Sequence, residues 1–247
     1  ELGSFAALRR ELEERTAGLL ARAASERRLA ELSGARVRNE LQRLFGQAPA
    51  EALAILQRLD LLRAMGLSAA TDEAVEATAR LPEAEAALGL RLSEREATAA
   101  CLGLYAAFSD EPAEQLAERL MLAVDQRDAL TAGARLAANP PAELAAPVPD
   151  SELFFALRDI PPGAAAALWT ALGDEQRRRL EHFWCHLRGT EADVGGEDLK
   201  AAGHEPGPAF SDALRAALAA KIDRNASPAE QLQVAVGVLE GPGSANE

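Results

Sequence analysis

Aromatic residues make up only 4% of this 247-residue chain, and β-branched residues are sparse. Alternation of apolar and polar residues with period 2 is nowhere sustained, so a sheet-based fold is excluded. Cysteine occurs only at Cys101 and Cys185. Two cysteines are too few for a disulfide framework, and free thiols suit a reducing cytoplasm. No apolar run approaches the ~20 residues that span a bilayer, and no signal-peptide pattern opens the chain, so no membrane partner is expected. A D-x-D pair of carboxylates is missing throughout. The first residue is Glu1 rather than Met, which fits either a processed start or a piece of something longer.

What fills the chain is alanine, leucine, arginine and glutamate, the best helix formers. The expected fold class is all-α: about twelve helices in a curved multi-helix array with a small helical tail subdomain. Ser33 precedes "GARVRNELQRLF", where Val37, Leu41 and Leu44 are placed on one face. Pro49 stands at a first-turn position. Ser93–Glu96 and Ser227–Glu230 have the spacing of capping boxes. "NPPAELAAPVPDS" carries four prolines in thirteen residues and marks the clearest break. The division expected is therefore 1–65 and 66–138 as body helices, 139–150 as a linker and 151–247 as a tail.

The net charge of −13 is unevenly placed. Residues 1–65 hold 11 arginines against 9 acids, whereas the remainder holds 15 basic against 30 acidic residues. The first third thus retains room for a local basic face in an acidic protein. A solvated helix surface laced with salt bridges explains the same residues.

One stretch departs from the rest. "VGGEDLKAAGHEPGPAF", Val194 to Phe210, contains four glycines and two prolines. Gly195 and Gly196 free the backbone before a short helix, expected over 197–202, with Glu197 and Asp198 in its first turn. Gly203 falls where a left-handed C-cap is wanted, and Pro206 prevents continuation. Gly207 permits a tight turn and Pro208 starts the next helix. The N–H groups of that helix start can receive a phosphate; a plain two-helix corner accounts for the same residues.

In order and spacing, Gly196, Asp198, Leu199, Gly203, Pro206, Gly207 and Pro208 resemble the tail of bacterial class II tRNA nucleotidyltransferases, the CCA-, CC- and A-adding enzymes and poly(A) polymerases. Asp223 matches that family's stop position, where Arg224 replaces the usual glycine. Thr16, Ser33, Gly34, Arg36, Glu40, Leu41, Ala52 and Leu53 are similar to its neck and body, with Asp60 in place of an expected glycine. The region 70–150 is only loosely similar. Missing are the D-x-D pair of the family's catalytic head and the E-D-x-x-R motif of its neck; Glu11, Glu14 and Arg15 have the wrong spacing.

The resemblance therefore implies body and tail without a head, gripping the acceptor-to-elbow half of tRNA by shape and phosphate contacts. It implies no cofactor in this chain, with Mg²⁺ and ATP or CTP belonging to the head. Its partners would be tRNA and its own catalytic head, in the cytoplasm, with no DNA. Residues placed at the RNA are Arg36, Arg38, Lys200, Gly203, Gly207, Pro208, Arg215 and Lys221. Arg36 and Arg38 lie two apart on a helix, so at least one should face the RNA or the head and the other pair with Glu40 or a neighbouring helix.

Three other features compete for chemistry. "EHFWCH" brings His182, Cys185 and His186 within one helical stretch. A metal would need a further ligand such as His204 or Glu181, and Phe183 and Trp184 favour a helix buried on one side. Phe154, Phe155, Leu157, Ile160 and Trp169 can stack on bases, but at this spacing they more often form a helix-pair core. Arg177, Arg178 and Arg179 suit a solvated surface better than a phosphate site. An all-helical protein-interaction scaffold is the rival from another class; its binding should resist salt, whereas RNA binding should weaken with it.

Overall fold

The computed structural model describes residues 32–241. Among them every regular element is helical, with no strand. The helices divide between two compact units, the first holding the described residues up to Pro140 with Ile160–Gly173, the second Pro141–Asp159 with the described residues from Asp174 on.

The first unit contains α1 (Gly34–Gln47), α2 (Pro49–Arg58), α3 (Leu61–Ala64), α4 (Asp72–Ala79), α5 (Leu81–Ala87), α6 (Glu94–Ala107), α7 (Ala113–Arg119), α8 (Val124–Ala138) and α10 (Pro162–Ala171). Its centre is α6, buried from Thr98 to Ala106 and packed on α1, α8 and α10. Gly103 and Gly133 meet where α6 crosses α8: a Cβ on Gly103 would lie 3.1 Å from the Leu130 carbonyl oxygen. Absent side chains let the two backbones approach closely and bury the flanking leucines. Ser93 caps α6 in the expected box, its N–H donating to the Glu96 carboxylate at 2.9 Å. Pro49 opens α2 as expected.

The buried face of α1 runs Val37, Leu41, Phe45, while Leu44 is 44% exposed. Steps of four keep this short contact on one line, and Leu44 falls off its edge. Asp60 adopts φ 51°, so the position where glycine was expected does require a left-handed residue, and aspartate tolerates it.

The second unit contains a 3₁₀ turn (Ala142–Leu144), α9 (Asp150–Leu157), α11 (Asp174–His182) running into a π-helical turn (Phe183–Leu187), α12 (Gly196–Ala201), α13 (Ala209–Arg224) and α14 (Pro228–Glu240). Here α13 and α14 form a hairpin around Val194, Leu199, Ala213, Ala217 and Ala235, flanked by Phe210 and Leu232. Asn225, at φ 52°, is the left-handed residue closing α13, one place after Arg224.

The split at 139–150 expected from the prolines takes a different form. Ala164 to Leu168 of α10 are completely buried. A helix this apolar finds its burial in the first unit, although it follows the prolines in sequence. The expected helix-pair core divides with it. Phe154 and Leu157 are buried in the second unit, Ile160 and Trp169 in the first, and Phe155 is half-buried.

Candidate nucleic-acid interface

The corner in the second unit is built as its glycines and prolines dictate. Gly203 has φ 96°. Its N–H donates to the Lys200 carbonyl at 2.9 Å, and the His204 N–H reaches back to the Leu199 carbonyl at 3.1 Å. That pair of bonds is a Schellman cap, which satisfies two carbonyls at the end of α12. The helix spans Gly196–Ala201 rather than 197–202, and Asp198 accepts the Gly195 N–H at 2.7 Å.

Pro208 takes helical angles directly before α13. The Phe210 and Ser211 N–H groups bond back to the Gly207 and Pro208 carbonyls at 3.0 and 3.2 Å. Gly207, Pro208 and Ala209 are exposed. The main-chain donors open to a ligand are therefore the Gly207 and Ala209 N–H groups, and acidic Glu205 and Asp212 flank them.

The cations named from sequence do not converge on this corner. Lys200 pairs with Glu197 at 2.6 Å. Lys221 lies thirteen residues along α13 from Pro208, about 20 Å at helical rise, where it donates to the Asp193 carboxylate at 2.7 Å and the Glu191 carbonyl at 2.8 Å. Arg215 lies over the Phe155 ring, 4.1 Å from its centroid. In the first unit Arg36 is exposed, with no ion pair among the described residues. Arg38 donates to the Met121 carbonyl and to Asn39. Glu40, the partner expected for one of these arginines, pairs with Arg43 instead.

The competing features are also placed. His182 Nε2 lies 3.0 Å from Asp150, and the His182 and His186 rings are 5.6 Å apart. Among the described residues no three His, Cys, Asp or Glu side chains come together to hold a metal. Arg178 pairs with Glu175 at 2.7 Å within α11, and Arg179 reaches the Val148 carbonyl. Cys101 is fully buried, which pushes its thiol pKa up and leaves it chemically quiet.

Sequence reasoning missed the Asp223 contact. Its carboxylate accepts the Ser151 N–H at 2.8 Å and hydroxyl at 2.7 Å, capping α9 from the far end of α13. The stop-position aspartate was the available signal, but its partner is 72 residues away.

No family model matches the chain, and no curated protein matches it in sequence. Among solved structures it is similar to the Thermotoga maritima CCA-adding enzyme complexed with tRNA, with a TM-score of 0.74, 20% identity, and coverage of 91% of this chain and 56% of that one. It is similar to an apo form of a CCA-adding enzyme at TM-score 0.74 and 20% identity, covering 94% and 56%. A third similarity is to a CCA-adding enzyme in complex with CTP, at TM-score 0.73 and 20% identity, covering 92% and 56%. The chain has the all-helical fold found in those structures and spans little more than half their length. The likeness first drawn from its motifs is matched by its fold. Among the described residues no helix is long and apolar enough to cross a membrane.

Proposed function

We propose that this chain is the tRNA-binding body and tail of a tRNA 3′-end nucleotidyltransferase-like protein. It anchors the acceptor-to-elbow half of tRNA while a separate catalytic head adds CCA or A to the 3′ end. The observation that carries this reading is a coincidence: the residues resembling the enzymes' motifs form the turns and caps of a fold that covers 91% of this chain in a CCA-adding enzyme. In this reading phosphoryl transfer belongs to the head, because the sequence carries no D-x-D pair of carboxylates to hold Mg²⁺ against a nucleoside triphosphate, and this chain supplies position.

The test is anisotropy of labelled tRNA lacking its CCA end, titrated at 50 and 200 mM salt. Four phosphate contacts would lower the affinity by about a hundredfold across that range. The same chain should incorporate no labelled CTP or ATP into tRNA. Exposed Met121 and Val124, 61% and 67% accessible, favour the rival, a protein-interaction scaffold. Absence of tRNA binding, with capture of a protein partner insensitive to salt, would establish that rival instead.

The corner has its own test in Gly207→Glu. Gly207 is not in the left-handed region, and a Cβ there would find nothing closer than the Glu205 carbonyl oxygen at 4.0 Å. Glutamate should be accommodated with unchanged circular dichroism. Its charge beside a phosphate should weaken tRNA binding about fivefold, matching the ~1 kcal/mol of one like-charge contact near water. Unchanged affinity in the folded variant would remove the corner from the interface.

A further inference from the structure

The second unit contains a cleft of about 530 Å³ between the C-terminal half of α9, one face of α13 and the loop before α12. On α13 its wall is Ser211, Leu214, Arg215 and Leu218, spaced i, i+3, i+4, i+7, so they share one helix face. From α9 comes Phe155, and from the residue that ends it Arg158. The Arg215 guanidinium lies on the Phe155 ring, 4.1 Å from its centroid. Phe155 is half-buried, and both arginines are exposed. Asp159 also lines the cleft, within 3.5 Å of Arg158, but that pair is open to solvent on both sides and so only weakly held. Two cations against one acid make this wall locally positive in a chain of net charge −13.

These parts match one kind of ligand. A guanidinium stacked on a ring is planar and holds its donors in a fixed fork. The arginine–phenylalanine pair and the leucines beside it form a platform for one flat ring, while Arg158 and the Ser211 hydroxyl supply hydrogen-bond donors for an oxyanion. The volume suits one small molecule and excludes a stacked duplex. We propose that this cleft holds a single unstacked nucleotide of a bound RNA, its base on the Phe155–Arg215 platform and its phosphate toward Arg158 and Ser211. The proposal rests on the RNA-binding reading but adds a contact to a base, beyond a grip by shape and phosphates.

The experiment uses the full chain with two labelled probes, a single-stranded RNA tetranucleotide and tRNA. Phe155→Leu keeps the apolar bulk and removes the aromatic face; Arg215→Lys keeps the charge and removes the plane. Both variants should retain the parent melting temperature and circular dichroism. Each should bind the tetranucleotide at least tenfold more weakly, because base–aromatic stacking contributes strongly at such sites. Tetranucleotide binding that depends on Phe155, without tRNA binding, would uphold the cleft and refute the tRNA-anchoring function. tRNA binding with parent-level affinity in Phe155→Leu would do the reverse. Failure of the parent chain to bind either probe would overturn the cleft proposal.

Discussion

Gly34→Ala should destabilise the first unit by about 3 kcal/mol, the upper end of the cost of overpacking a tight contact. A Cβ at this position would lie 1.8 Å from the Arg119 carbonyl oxygen and 2.9 Å from its carbon. Both are main-chain atoms, so no side chain can swing aside. They belong to the end of α7, which is itself closed by a Schellman cap. The Leu122 N–H donates to the Ala117 carbonyl and the Met121 N–H to the Glu118 carbonyl, each at 3.0 Å, with Met121 in the left-handed region at φ 52°. Shifting that turn would also disturb the Arg119 guanidinium, which caps α3 through the Met65 and Gly66 carbonyls. In an unobstructed helix the same substitution would stabilise by roughly 0.5–1 kcal/mol, so the sign of the change decides the matter. Urea denaturation should show a lower midpoint at unchanged slope; a raised midpoint would refute the close approach. Arg38→Ala, which removes the bonds to the Met121 carbonyl and to the Asn39 side chain, should cost about 1 kcal/mol.

Gly34 also shows what the motifs encode. Gly34, Gly203 and Asp223 match the resemblance and Asp60 departs from it, and each serves the backbone, in a close approach, a Schellman cap, the cap of α9 and a left-handed turn respectively. The left-handed turn and the Schellman cap are legible because they are local, or demand a residue type few others can replace. The same locality made the Ser93 and Ser227 boxes and Pro49 readable. Partners distant in sequence were not legible. Nothing near Arg38 pointed to Met121, 83 residues away, and nothing near α10 indicated which unit would bury it. For the candidate interface this limit matters more. A lysine's type reveals its charge, but only the fold reveals whether that charge is already engaged.

Lys221 is the instructive case, and it leads to Gln231. Gln231 is completely buried. Its amide donates to the Asp193 carboxylate and to the Ala226 carbonyl, each at 2.7 Å, and its oxygen accepts the Asp193 N–H at 2.9 Å. Lys221 holds the other carboxylate oxygen, so one glutamine and one lysine tie the loop before α12 to the α13–α14 hairpin. Gln231→Met preserves the volume and leaves a main-chain N–H and a buried carbonyl without partners. The second unit should lose about 3 kcal/mol, in keeping with the cost of orphaned buried polar groups. The acid response should change as well. The hydrogen bond from Lys221, then that from Gln231, holds the Asp193 carboxyl below its ordinary value of 3.8. A depressed carboxyl contributes stability that is fully present above that value and is lost as pH falls through the folded one. The parent should therefore lose stability progressively below about pH 4, and Gln231→Met, lacking one of the two bonds, should lose less over the same interval. Melting curves for both proteins from about pH 6 down to about pH 2.5 test this; identical slopes would show that Gln231 does not set the charge state of Asp193.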